Sequence, residues 1–136
     1  MSNIIAISAL TMKVYIDYKD TLPDCQQISE GALALHTLID KAKQHLGSTT
    51  ISSDDQCYGQ KVLRGCQGVL EELNSLVERY KSLAAINERL AKSKVRREGI
   101  VALHDRLISN TILLNGFVRR FVIPNILGTS PILNGY

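Results

Sequence analysis

Tryptophan is absent from this chain, and phenylalanine occurs only twice in 136 residues. The core must therefore be aliphatic, built mainly from Leu, Ile and Val. Cysteine is scarce and odd in number: Cys25, Cys57 and Cys66, with no CxxC pair. That pattern fits neither a disulfide framework nor a zinc site. The three read as reduced, intracellular thiols, with Cys66 a small core hydrophobe. Long apolar runs are missing too, since none approaches the roughly 18 residues of a spanning helix. The apolar stretch Ile4 to Met12 has no positive charge before it and no convincing cleavage site after it, so no signal peptide is expected. These absences together predict a cytoplasmic chain, soluble at rest.

What is present is ordinary in amount and informative in pattern. The length suits one domain with a real core. Hydrophobic residues are 45% and charged residues 21% of the chain. The net charge of +3 is too mild to argue for nucleic acid. Its distribution is uneven. Ile86 to Arg120 holds eight Lys/Arg and three acids, a local +5, which leaves −2 for the remainder. Such a segment can meet anionic lipid or an acidic partner. A solvated helix face accounts for the same charges. The stretch lacks aromatic interleaving and any recognised nucleic-acid motif, so no nucleic acid partner is expected.

Ser52 to Ala84 organises the rest. Val62, Cys66, Val69, Leu73, Leu76, Tyr80 and Leu83 recur in steps of four and three. Leu63, Leu70, Val77 and Ala84 form a second row beside the first. Two adjacent rows predict a helix packed by more than one neighbour. Ser52 with Asp55, or Ser53 with Gln56, can cap its start, and Ile51 is placed as a hydrophobic staple. Gly59, Gly65 and Gly68 each cost this helix roughly 1 kcal/mol against alanine. Close approach of a neighbouring helix backbone would account for them. Gly59 to Gly68 is no phosphate loop, because the Gly-Lys-Ser/Thr ending is absent.

Three other segments carry helical periodicity. Asn3 to Tyr18 places Ile7, Leu10, Val14 and Tyr18 on one face, with Ile4 and Met12 close by. Asp24 to Leu46 places Ile28, Ala32, Leu35, Ile39, Ala42 and Leu46 on another, with Asp24 as the expected cap and Gly47 as the stop. Arg97 to Phe121 aligns Ile100, Leu103, Leu107, Thr111, Leu114, Val118 and Phe121, and Ile108 and Ile112 widen that row. Asn110 and Asn115 at its rim either pin register or face water. The connector Ala85 to Gly99 can extend the central helix, begin the last one, or stay mobile. The expected fold is an all-α, antiparallel four-helix bundle spanning residues 1–123, with a fifth short helix as an open alternative. Residues 124–136, with Gly128, Pro131 and Gly135, read as an irregular tail or linker.

No catalytic constellation is evident. His36 and His45 do not have helical i,i+4 spacing and lack a third ligand, so no metal site is expected. Ser109 and Cys57 have no recognisable base beside them. His104 and Asp105 are sequence neighbours, which a helix points about 100° apart. No enzyme activity and no cofactor are expected.

The order of segments nevertheless resembles a known family. KVYIDYKD (Lys13 to Asp20), DCQQISEGALALHTLIDKAKQHL (Asp24 to Leu46), VLRGCQGVLEELNSLVERYKSLA (Val62 to Ala84) and IVALHDRLISNTILLNGFVRRF (Ile100 to Phe121) follow one another. Together they resemble the N-terminal helical domain of fungal NLR-like (STAND) proteins, in the HeLo and HeLo-like group. The resemblance implies a role in fungal innate immunity, programmed cell death or heterokaryon incompatibility. It implies that activation frees the N-terminal helix, that the domains form a homo-oligomer, and that the plasma membrane is damaged. An NLR-type sensor domain or protein is the implied partner, and an anionic membrane surface the implied target. Ile4, Ile5, Ile7 and Leu10 are then the expected membrane-inserting residues, since Ser2 to Met12 carries no charge. Lys92, Lys94, Arg96 and Arg97 are the expected contacts to anionic lipid or a partner. The alternative is a non-lytic adaptor domain that binds its own kind or a partner.

Overall fold

A computed structural model describes residues 4–45 and 52–122. Among these residues all regular structure is helical. α1 is Ile4–Thr21, α2 Gln26–His45, α3 Ser53–Ala84, α4 Glu88–Arg97 and α5 Ile100–Phe117. A 3₁₀ turn, Pro23–Cys25, precedes α2, and a π-helical turn, Val118–Val122, follows α5. α1 packs on α2 and α3, both α2 and α3 pack on α5, and α4 packs mainly against α3.

The central segment behaves as its periodicity requires. The six residues Val62, Cys66, Val69, Leu73, Leu76 and Tyr80 of the first row are buried, as are Leu63, Leu70 and Val77 of the second. Leu83 and Ala84 are half-buried where the helix ends. The double stripe serves three neighbours, α1, α4 and α5. Ser52 caps this helix, its Oγ accepting from the Asp55 backbone N–H at 3.2 Å. The Asp55 carboxylate accepts from the Ser52 hydroxyl at 2.9 Å, which closes the cap side chain to side chain. Ile51, the expected staple, lies outside the described residues.

Ile28, Ala32, Leu35, Ile39 and Ala42 of α2 are all buried. Its start differs from expectation. Asp24 lies within the 3₁₀ turn, no side chain caps that turn, and the α-helix begins at Gln26. Pro23 fixes φ at the turn's first position, which favours the tighter helix there. Leu46 and Gly47 lie outside the described residues.

The connector forms a separate helix. Asn87 caps α4, its Oδ1 accepting from the Leu90 N–H at 3.1 Å. Gly99, with φ of 84°, turns the chain into α5. Only glycine adopts that left-handed conformation without steric cost, so the break falls there. α4 buries just Ala91 and Val95, one turn apart.

The glycines of α3 divide. A Cβ on Gly59 would sit 2.7 Å from Cζ of Phe117, and one on Gly65 would collide with Asn110 Oδ1. A Cβ on Gly68 would meet nothing within 4 Å. The close approaches come from α5 side chains, not from a helix backbone, and only two of the three glycines have one. Ile108 and Ile112, expected to widen the core row, are exposed instead. The α5 core face is Leu103, Leu107, Leu114 and Phe117.

Candidate functional site

Two places concentrate the residues of interest: the seat of α1, and the outer face of α4.

α1 is held by a polar seam on each side. Toward α3, Lys13 Nζ lies 2.7 Å from Asp17, 2.6 Å from Asn74 Oδ1 and 2.9 Å from Glu78. Lys81 reaches Asp17 at 3.1 Å and Glu78 at 3.4 Å. Hydrogen bonding to Asp17 holds the Lys13 ammonium above its ordinary range. Partial burial pushes the Asp17 carboxyl up, but hydrogen bonds from Lys13 and Lys81 outweigh it and hold it below the usual range. Beneath this network the buried Tyr18 hydroxyl donates to the Leu73 carbonyl at 2.7 Å. Burial pushes the phenol well up, so it stays a donor.

Toward α2, Ser8 Oγ donates to Asp40 at 3.1 Å. Thr11 Oγ1 donates to the Ser8 carbonyl at 2.6 Å and lies 2.9 Å from His36 Nδ1. The other ring nitrogen of His36 faces Asp40 at 3.3 Å. Ser8 and Thr11 are both buried. The sequence hinted at this seam only through two small polar residues three apart on an apolar helix, with His36 and Asp40 at i,i+4.

The four residues expected to insert in a membrane do not share a face. Ile4 and Ile7 are buried in the core, Leu10 is half-buried against it, and Ile5 is exposed. The outward apolar row of α1 is Ile5, Ala9 and Ile16, with half-buried Met12 beside it. A face containing Ile4 and Ile7 reaches solvent only if α1 leaves its seat. No helix among the described residues is long and apolar enough to cross a membrane.

The four expected basic contacts fare differently. Lys92, Arg96 and Arg97 line one open depression together with Glu88, Arg89 and Ser93. Ala91 and Val95 face α4's packing side, which turns Ser93 and these cations to solvent. Lys94 is also exposed but does not line that depression. Lys92 approaches Asp24 at 3.9 Å, where both side chains are largely exposed. Arg89, absent from the expected contacts, completes the group at i−3 from Lys92.

Across a groove, Arg106 of α5 pairs with Glu72 of α3 at 2.7 Å, and Arg79 of α3 pairs with Glu98, at the end of α4, at 3.5 Å. Among the described residues no group of three or more His, Cys, Asp or Glu could hold a metal ion. Cys66 is buried, its thiol pushed up to about 12 by burial, while Cys57 is exposed. No protein-family model, curated protein or solved structure matches the chain.

Proposed function

We propose that this chain is a helical effector domain of regulated cell death, of the HeLo-like kind, that acts at an anionic membrane surface. The observation that carries the proposal is the outer face of α4, where Arg89, Lys92, Arg96 and Arg97 line one depression. Each cation near an anionic leaflet contributes about 1 kcal/mol. The four make a docking surface on which cations outnumber acids, Glu88 being the one acid in the lining and Asp24 lying 3.9 Å from Lys92. In this reading α1, α2, α3 and α5 form an antiparallel four-helix bundle, and α4 is a basic appendage on it. The resting domain is cytoplasmic. Activation brings it to the plasma membrane as a homo-oligomer under an NLR-type sensor, where Ile5, Ala9 and Ile16 meet lipid first. Ile4 and Ile7 follow only if α1 unseats.

A second reading, the non-lytic adaptor, is favoured by how firmly α1 is held. Tyr18, Ile7 and the two polar seams oppose release. In that case the basic face serves an acidic partner.

Co-flotation with vesicles, with and without anionic lipid, tests the proposal. Binding should require anionic lipid and fall at least about a thousandfold when Arg89, Lys92, Arg96 and Arg97 are all replaced by Glu. Lys94→Glu alone should cost about fivefold or less. Dye leakage by the wild type, lost with Ile5→Glu, supports the effector. Anionic binding without leakage supports the adaptor. Equal binding to neutral and anionic vesicles refutes the role of α4.

A further inference from the structure

A helix with one packed side should be polar on the other. α5 is not. Opposite its core face, Val101, Ile108 and Ile112 are 70%, 43% and 64% exposed. Their spacing is regular. Val101, Asp105, Ile108, Ile112, Asn115 and Arg119 step by four and three in strict alternation, the seam spacing of a coiled coil. Two members of this seam are charged and opposite in sign. Asp105 and Arg119 are exposed, and neither makes an ion pair or hydrogen bond among the described residues. Each lies seven residues from Ile112: Asp105 about 10 Å back along α5, and Arg119 forward in the π-helical turn that continues it.

We infer that the outer face of α5 binds a second copy of this chain, the two helices antiparallel about a two-fold axis at Ile112. The two-fold brings Asp105 to the partner's Arg119, and Arg119 to the partner's Asp105. Ile112 meets the partner's Ile112. Ile108 falls opposite the partner's Gly116, a position where a Cβ would touch nothing within 4 Å. That open backbone gives the isoleucine room for close approach. A parallel pair would instead set Asp105 against Asp105 and Arg119 against Arg119, which like-charge repulsion disfavours. An unrelated partner would not require charges placed symmetrically about one residue. A second copy does. The inference is independent of any membrane activity, since it concerns the free protein in solution.

Sedimentation equilibrium of the full chain in lipid-free buffer tests it. The wild type should show a concentration-dependent dimer. Ile112→Glu should raise the dissociation constant at least about tenfold. Its helical spectrum should be unchanged, because the residue is exposed. Asp105→Arg and Arg119→Asp should each weaken the dimer, and the double variant should recover it to within about threefold. A chain that stays monomeric at about 100 μM overturns the inference. So does a dimer indifferent to Ile112→Glu. Single charge variants that weaken the dimer without rescue by the double overturn the antiparallel register.

Discussion

Ile5 and Ile7 are two residues apart, yet the structure gives them opposite roles. Ile7 is 1% exposed and Ile5 is 68% exposed. Each is replaced in turn by alanine. At Ile7 the change loses the transfer free energy of the buried methylenes and leaves a cavity, about 2–5 kcal/mol in all. At Ile5 most of the side chain is already in water. Alanine's better helix propensity offsets what contact is lost, so the change should stay within about 0.5 kcal/mol. Native domains hold only about 5–15 kcal/mol, so the Ile7 variant loses a large share. For a domain of this size 1 kcal/mol moves Tm by roughly 3–5 °C. Ile7→Ala should therefore melt about 6–25 °C lower, and Ile5→Ala within about 2 °C of the wild type. Thermal and urea unfolding, followed by helical circular dichroism, measure both. Equal shifts for the two variants would refute the seating of α1 described above. The same reasoning selects the functional probe. Ile4→Glu would force a charge into the core, since Ile4 is 6% exposed. A lost membrane activity in that variant would report unfolding. Ile5→Glu carries no such ambiguity.

Further outcomes follow from the same geometry. Tyr18→Phe removes one buried hydrogen bond to Leu73 and should cost about 1 kcal/mol in urea unfolding. Gly68→Ala should stabilise α3 by up to about 1 kcal/mol, because nothing opposes the new methyl. Gly59→Ala should gain nothing or lose stability, because Phe117 is in the way. Asp17 has a folded pKa below its ordinary 3.8. Its contribution to stability is thus present above that value and lost as pH falls through the lower folded value. Acid titration of the unfolding free energy should show this loss, and Asp17→Asn should reduce it. Thiol labelling at neutral pH should modify Cys57 first. Cys66 should react only on unfolding, since its thiol is buried and protonated to about 12.

Much of the core was legible from spacing. In α2 and α3 the apolar residues repeat on a narrow set of faces, and polar residues fill the rest. Periodicity then names the buried side without knowledge of the neighbour. The cap of α3 was readable to within one residue, Ser52 or Ser53, because capping is local chemistry. α4 was not, since two buried residues in ten give too weak a pattern. Its boundaries rest on Asn87 and on the left-handed Gly99. In α5 the apolar residues surround the helix, so no period selects one face. Ile108 and Ile112 look like core in sequence and stand outside it in the structure.

The candidate site divides the same way. The local excess of Lys and Arg between Ile86 and Arg120 was plain. That Arg89, Lys92, Arg96 and Arg97 line one depression while Lys94 lies outside it depended on the helix that Ala91 and Val95 anchor. The charge-free N-terminus was plain as well, but Ile4, Ile5, Ile7 and Leu10 could not be sorted into seated and free.

The sequence by itself determined that this chain is helical, that its core is aliphatic, and which faces of α2 and α3 are buried. Those properties depend on residues within a few turns of one another. Only the tertiary structure decided how α1 is held, through Tyr18 and Leu73, 55 positions apart, and through Lys13 and Glu78, 65 apart. It alone set Val101, Ile108 and Ile112 of α5 outside the core among the described residues. Contacts between distant segments depend on which helices become neighbours, and a one-dimensional period carries no record of that choice.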